Sequence, residues 1–323
     1  MKRLSLSHLI IICLVYLTSS NVALAADKAS EAKVSGFAGA EYWRVIKDGN
    51  EGTSQVKGIE AGVLINVEGE YWRHLRNKWV SPYGAYALLG VLCTLLIFYL
   101  IVGQKKLDHP RTNKKIKRWS QLDRANHWTV AILFMTLALT GLSLLYGKFF
   151  LKGLLGDSIW GNYIALCKIL HNYLGPLFML ALLIMIVRWL KHNFFNATDL
   201  RWFIKGGGIF GNAHPSAGFL NGGEKVWFWL LTFSGVTISI SGLILDFPLF
   251  GQTREVMQWS NIIHAVSSLI LIAASFGHIY IGTAGTEGAL EGMTTGYVDE
   301  SWAKQHHDLW YEEKKTKSTN EPM

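Results

Sequence analysis

The sequence predicts an all-α integral membrane protein, and two observations carry that prediction. Half of the 323 residues are hydrophobic, and they cluster in segments near the roughly 20 residues that a helix needs to cross hydrocarbon. Two histidines, His264 and His278, also lie inside one of these segments, where an ionisable side chain is costly and usually serves a function. The five segments that we interpret as membrane spans are Tyr83–Val102, Trp128–Leu145, Tyr163–Trp189, Trp227–Leu245 and Ile262–Ile281.

The chain begins with a predicted secretory signal, residues 1–25. A basic start, a short apolar centre and the exit Ala23-Leu24-Ala25 are features of a cleaved signal, so the mature chain is expected to begin near Ala26. A polar segment, 26–82, follows and is expected on the periplasmic side. The apolar alternation at Gly62–Val67 is too short to define its fold.

Charge indicates the same topology independently. The loop 104–126 carries eight lysines and arginines, and basic loops of this kind remain in the cytoplasm. The first transmembrane helix, 83–103, therefore runs inward, the four-helix region 127–282 follows, and the tail 283–323 is expected in the cytoplasm. This predicts a multi-pass protein of a bacterial inner membrane with its mature N-terminus outside. The basic residues of the loop are Lys105, Lys106, Arg111, Lys114, Lys115, Lys117, Arg118 and Arg124.

Composition excludes two functional classes. The net charge of +8 is accounted for by the cytoplasmic loops of a membrane protein, so it does not indicate nucleic-acid binding. Three cysteines are too few to ligate an iron-sulfur cluster, and none forms an attachment motif for covalently bound haem.

Four histidines at membrane depth predict two cofactor-binding pairs. His264 and His278 are 14 residues apart, about 21 Å and nearly a whole number of helical turns, so both imidazoles face the same way at different depths. By the predicted topology, His171 shares the outer depth with His264. His127 shares the inner depth with His278. Since imidazole is a usual axial ligand of haem iron, each pair is a candidate bis-histidine haem site.

Other polar motifs are given no functional interpretation. The glycine pattern Gly206–Gly211 follows no strand, so dinucleotide binding is not expected there. The sequon Asn196-Ala197-Thr198 is predicted on the side of the membrane where glycosylation does not occur. Six histidines lie in polar segments and are expected to face water: His74, His109, His192, His214, His306 and His307.

Seven motifs between Leu122 and Glu313 are specific in combination, although no single motif is. They are Asp123–Thr129, Ile169–His171, Arg188–Asn193, Asn221–Lys225, Ile262–Ala265, Gly288–Gly296 and Trp302–Tyr311. In these motifs the chain resembles the cytochrome b (gamma) subunit of membrane-bound formate dehydrogenases.

The resemblance implies a four-helix di-haem cytochrome b bundle, to which this chain adds one N-terminal transmembrane helix. The family's four membrane histidines bind two b haems and correspond to His127, His171, His264 and His278. The family passes electrons to menaquinone or ubiquinone at the inner side of the membrane, in anaerobic respiration. Its partners are an iron-sulfur (beta) subunit and a molybdenum or tungsten catalytic (alpha) subunit. We expect no formate-oxidising site in this chain, which would act as the quinone-reducing membrane subunit.

The family's quinone pocket is lined by a loop motif that maps onto Asn221, Gly223, Glu224 and Lys225, together with His278. Glu224 stands where the family motif has glutamine. Its carboxylate could deliver protons to reduced quinone. Equally, it could cap the helix that follows, since acidic residues are favoured near a helix N-terminus. The sequence leaves these alternatives open.

Two rival functions stay open at this stage. One keeps the haems but changes the electron donor, as in a cytochrome b subunit of a hydrogenase or thiosulfate reductase type complex. The Asn221–Lys225 and Trp302–Tyr311 motifs favour a formate dehydrogenase complex over this rival. The other is a haem-free membrane anchor or proton relay, which normally carries acidic residues inside its spans, whereas the interiors of these spans carry none.

Overall fold

The computed structural model describes residues 40–50, 52–57, 62–208 and 214–320. The predicted signal, 1–25, lies outside the described residues, as does the start of the polar segment. The described residues up to Val67 form a separate unit, with helix α1 (Ala40–Lys47) and a short antiparallel pair of strands. These strands are β1 (Gly52–Thr53) and β2 (Val63–Ile65), so the apolar alternation noted in the sequence corresponds to a strand.

The predicted first span is the end of a longer helical segment. Helix α2 (Val67–His74) continues through a π-helical turn, Leu75–Val80, into α3 (Ser81–Val102). Proline is tolerated in the first turn of a helix, and Pro82 occupies that position in α3. Gly103 ends the helix with φ +69°, a backbone angle that favours glycine.

The second and third spans form one helical hairpin, α4 (Gln121–Trp189), which turns back at Gly156. This residue has φ +73° and ψ 166°, and residues other than glycine rarely adopt these angles. The first arm is residues 121–155 and the second arm is residues 157–189. They run antiparallel, since Ser143 Oγ lies 2.7 Å from Tyr163 Oη and the Asn126 amide donates to the Ala181 carbonyl at 3.0 Å. The helices therefore extend through the region expected to be an outer loop.

Helices α6 (Gly222–Asp246) and α7 (Arg254–Tyr280) complete the bundle. Four helical stretches of the described chain are long and apolar enough to cross a membrane, and the hairpin counts as two passes, which gives the five predicted spans. The core lies between α4, α6 and α7. A Cβ at Gly235 would stand 2.5 Å from Leu182 Cδ2, so α6 approaches α4 closely here and a larger residue would have to displace the Leu182 side chain. The buried side chains of this core are Val130, Phe178, Ala181, Leu182, Met185, Leu231 and Leu271.

Short elements connect the long helices at both ends of the bundle and continue the chain after α7. Helix α5 (Ala197–Ile204) lies between α4 and α6, flanked by the 3₁₀ turns Leu190–His192 and Gly206–Gly208. A further 3₁₀ turn, Pro248–Phe250, joins α6 to α7. After the π-helical turn Ile281–Gly285, the chain forms α8 (Glu291–Thr294), β4 (Tyr297–Asp299), α9 (Glu300–His306) and α10 (Asp308–Asn320).

The basic loop and the C-terminal tail fold together into one structure, which we call the cap (residues 105–119 and 286–311). Strand β3 (Lys115–Lys117) pairs antiparallel with β4, with Ile116 opposite Val298. The Asp299 carboxylate accepts hydrogen bonds from the backbone N–H groups of Thr112 and Asn113 at 3.1 and 2.9 Å. The two segments, treated separately in the sequence, thus share a hydrophobic core around Val298.

Candidate functional site

The outer pair, His171 and His264, lies between the second arm of α4 and α7. The two ring centres are 6.0 Å apart, and the ring planes are inclined by 75°. Both imidazoles lie against glycine. A Cβ at Gly141 would stand 3.1 Å from His171 Cε1, and one at Gly242 would stand 3.2 Å from His264 Cε1. These glycines let the rings approach the first arm of α4 and helix α6 closely.

Hydrogen bonds define which nitrogen of each imidazole in the outer pair is free to bind a metal. The His264 Nδ1 lies 3.0 Å from the carbonyl of Ile238, which can only accept, so this nitrogen carries the proton. The Thr140 hydroxyl donates to the Thr136 carbonyl at 2.9 Å, and it therefore accepts from His171 Nδ1 at 3.0 Å. Each imidazole is thus left with an unprotonated Nε2, the form that binds a metal.

A cavity of about 400 Å³ adjoins this pair, within the size range of ligand pockets. Its walls are mainly apolar side chains of α4, α6 and α7, including Phe134, Leu142 and Ile272. An imidazole nitrogen binds a metal at about 2.0 Å, so rings on opposite sides of one metal ion have centres about 6 Å apart. The observed 6.0 Å, the free Nε2 atoms and the apolar cavity all fit a bis-histidine haem.

The inner pair, His127 and His278, has a similar spacing but a different environment. Its ring centres are 6.3 Å apart, again the separation expected across a metal ion. Aromatic rings position both imidazoles. Trp227 stacks on His278 at 4.4 Å with an angle of 8°, and Trp189 lies nearly parallel to His127 at 6.3 Å. Within the described residues, His127 Nδ1 is buried with no hydrogen-bond partner.

The structure thus brings together the histidines that the sequence pairs by depth. Helix α7 supplies one member of each pair, and each arm of α4 supplies one of the other two. Helix α6 contributes a wall to both sites, through Gly242 at the outer pair and Trp227 at the inner pair.

Four of the residues predicted to line a quinone pocket lie at the start of helix α6, two to six residues before Trp227. Asn221 caps this helix by accepting from the Glu224 N–H at 3.0 Å, and the Glu224 carboxylate accepts from the Asn221 N–H at 2.9 Å. Glu224 therefore has the capping role considered in the sequence analysis. Gly223 packs beneath Trp202, where a Cβ would stand 3.0 Å from the indole.

Lys225 is held in a buried ion pair. Its Nζ donates to the Asp199 carboxylate at 2.7 Å, and both side chains are almost fully buried. Asp199 also accepts from the backbone N–H of Asn196 at 2.8 Å, completing a capping box for α5. Asn196, which the sequence marks only as a sequon, therefore begins a helix that anchors the start of α6.

The cap contacts the start of α6 through His307, which the sequence wrongly placed in water. This side chain is 1% exposed, because it packs between Trp302 and Trp310. The Arg118 guanidinium donates to the Glu224 carboxylate at 3.0 Å and lies 3.1 Å from His307 Nε2. Since His307 Nδ1 donates to the Gly218 carbonyl at 2.8 Å, its Nε2 accepts from Arg118. Burial, together with the charge of Arg118, lowers the pKa of His307 to about 3.

The buried neutral His307 predicts that the cap weakens in acid. An unfolded histidine titrates near pH 6.5, so between that pH and about pH 3 the unfolded cap binds a proton that the folded cap does not. The contribution of His307 to the stability of the folded cap is therefore complete above about pH 6.5 and falls by about 1.4 kcal/mol per unit as the pH drops. Hydrogen exchange of residues 286–311 should reveal this loss.

The variant His307→Gln should reduce that pH dependence, because glutamine does not titrate, and the remainder is due to His306, whose pKa burial lowers to about 4. The exposed His109 offers the matched control, and His109→Gln should leave it unchanged. Equal protection of the cap at about pH 7.5 and about pH 5 in the unmodified chain would contradict the prediction.

Four residues that shape these sites have no predicted role from the sequence: Gly141, Gly242, Asp199 and Arg118. The two glycines carry no local signal, because their role appears only when an imidazole from another helix lies against them. Asp199 could have been recognised from the Asn-x-x-Asp spacing, which is a capping-box pattern. Arg118 is one of eight basic residues in its loop and is indistinguishable from the rest in the sequence.

The chain is similar to one family model and to several known cytochrome subunits. A family model described as prokaryotic cytochrome b561 matches residues 118–296. The nitrate-inducible formate dehydrogenase cytochrome b556(Fdn) subunit of Escherichia coli (strain K12) is 34% identical over 207 residues, covering 62% of this chain and 92% of that protein. The formate dehydrogenase cytochrome b556(fdo) subunit of the same organism is 30% identical, covering 61% and 92%. The formate dehydrogenase cytochrome b556 subunit of Haemophilus influenzae is 29% identical, covering 59% and 79%.

Proposed function

The chain belongs to the prokaryotic cytochrome b561 family, and we propose that it acts as the cytochrome b subunit of a formate dehydrogenase complex. It is a membrane protein of a cytochrome b family, which implies haem b as its cofactor. The observation that carries the proposal is the pair of imidazole sites, spaced 6.0 and 6.3 Å between ring centres. The names of the relatives supply the enzyme complex.

We assign His171 and His264 to an outer haem b, and His127 and His278 to an inner haem b. Bound haem would supply one-electron transfer across the membrane, from an iron-sulfur (beta) subunit on the periplasmic side to quinone on the cytoplasmic side. This assignment includes a molybdenum or tungsten (alpha) subunit as the site of formate oxidation and an inner membrane with the mature N-terminus outside. It is supported by the depth of the pairs along α7 and by the basic loop 104–126.

We place the quinone pocket at the start of α6, lined by Asn221, Gly223, Glu224 and Lys225, close to His278. The stack of Trp227 on His278 supports this, because it holds the first turns of α6 beside the inner imidazole. The side chains here have defined roles. Asn221 and Glu224 fix the helix start, and Asp199 holds Lys225 in place from α5. Glu224 is oriented by Arg118, so any proton it passes to quinone would come from the side of the cap.

The assembled complex provides the direct test of this function. A pyridine haemochrome assay should give two b haems per copy of this chain, and formate should reduce quinone in the purified complex. Quinone reduction by hydrogen, or thiosulfate reduction by quinol, with no quinone reduction by formate, would move the chain to the rival type of complex. A well-folded chain without haem would overturn the proposal and leave an anchor or proton relay.

The glycines beside the outer imidazoles predict a local effect on haem binding. Gly141→Leu and Gly242→Leu should each push a ring out of position, with an overpacking cost of about 1–3 kcal/mol, and lower the occupancy of the outer haem alone. The matched control is Gly161→Leu, since a Cβ at Gly161 meets no atom within 4 Å. Haem-to-protein ratios measure the effect. Full occupancy of both haems in Gly141→Leu and Gly242→Leu would contradict the role of these glycines.

A further inference from the structure

The added N-terminal span packs directly onto the wall of the outer cavity. A Cβ at Gly84 would stand 2.5 Å from Leu269 Cδ1, so α3 and α7 approach closely at this point. Leu88 is buried against Leu269, and the Tyr146 hydroxyl donates to the Ser81 carbonyl at 2.8 Å. Leu269 also lines the cavity. The additional span is therefore part of the structure around the outer histidines.

The segment before this span adds a cation to the same cavity. Arg76, in the turn between α2 and α3, is half-buried and lines the cavity together with His171 and His264. The other charged residues of the lining are Lys168, which is exposed, and Asp246. Arg76 donates to the Asn77 side chain at 3.3 Å and lies 5.9 Å from the ring of Trp72. Among the described residues, the hydrogen-bond partner of the Arg76 side chain is the Asn77 amide oxygen and not a carboxylate.

A half-buried arginine beside a haem cavity can pair with a carboxylate of the haem. Haem b carries propionate carboxylates, and a carboxylate taken out of water needs a charged or hydrogen-bonding partner. Arginine binds a carboxylate through parallel N–H donors and stays charged at all relevant pH values. We propose that Arg76 binds a propionate of the outer haem, so that the N-terminal segment forms part of that haem's binding site.

This proposal rests on the assignment of the outer haem and adds a residue to the binding site of that haem. Residue 76 precedes the stretch 118–296 that matches the family model, so the proposed contact lies outside the matched region. A positive charge beside haem stabilises the reduced form, which carries less positive charge. Arg76 should therefore raise the midpoint potential of the outer haem relative to a chain without it.

The experiment is a potentiometric titration of the purified complex, followed by the absorbance of the b haems. The outer haem is identified as the component missing from His264→Ala. Arg76→Gln should shift the midpoint potential of that component to lower values and leave the other component unchanged. Arg76→Lys should restore part of the shift. The matched control Arg73→Gln, one helical turn away and outside the cavity lining, should shift neither.

Three outcomes overturn the inference. They are wild-type potentials in Arg76→Gln with full haem content, equal shifts of both components, and an Arg76→Lys variant that behaves like Arg76→Gln. If Arg76→Gln loses haem, selective loss of the outer one supports the inference, and loss of both overturns it. Absence of two b components from the unmodified complex would instead be a failure of the proposed function.

Discussion

Replacing His264 with alanine should remove the outer haem and keep the inner one, and replacing His127 should do the reverse. The outer ring is oriented by its hydrogen bond to the Ile238 carbonyl, whereas the inner rings are held by stacking on Trp227 and Trp189. Different side chains thus hold the imidazoles of the two sites. An iron left with one protein ligand loses the bis-imidazole environment that holds it, so the haem content should fall from two to one per chain.

A pyridine haemochrome assay with reduced-minus-oxidised spectra measures this directly. The exposed His192 provides the control, since His192→Ala should retain both haems. Formate-dependent quinone reduction should be lost in both pair variants, because each removes one of the two carriers. Unchanged haem content in both His264→Ala and His127→Ala would show that the ligand assignment is wrong.

The membrane spans could be predicted from the sequence because each is a continuous apolar segment of sufficient length. The histidine pairs could be predicted because helical geometry fixes the separation of His264 and His278, and topology then places His127 and His171 at the matching depths. These inferences need only local periodicity and the positions of the basic loops. They do not require knowledge of which side chains touch.

The cap could not be predicted, because its contacts join residues far apart in the chain. His307 lies in a polar stretch, yet it is buried because Arg118, from a loop almost 200 residues earlier, folds over it. The same reason applies to Arg76 and the outer cavity. The turn at Gly156 was missed for a different reason: the stretch around it contains glycine, aspartate and serine and was expected to be a loop, whereas helix continues on both sides and one glycine with positive φ makes the turn.

Breaking the buried pair at the start of α6 should cost the most stability of any single substitution discussed. Asp199→Asn keeps an oxygen that can accept from the Asn196 N–H, but it leaves the Lys225 ammonium without a charged partner. Removing one member of a buried ion pair typically costs about 3–5 kcal/mol. Thermal unfolding in detergent should show this loss. The exposed pair Glu313–Lys317 is the control, because Glu313→Gln should cost about 1 kcal/mol or less.

The double variant Asp199→Asn, Lys225→Met separates structural support from quinone binding. Removing both charges leaves no uncompensated ion, so most of the lost stability should return. The KM for quinone should nevertheless stay raised, because the proposed pocket has lost its lysine. If both stability and KM return to normal, Lys225 only anchors α6 to α5. If stability does not return, the pair contributes through its hydrogen bond at 2.7 Å rather than through charge balance, and the expected cost of the unpaired ammonium is wrong.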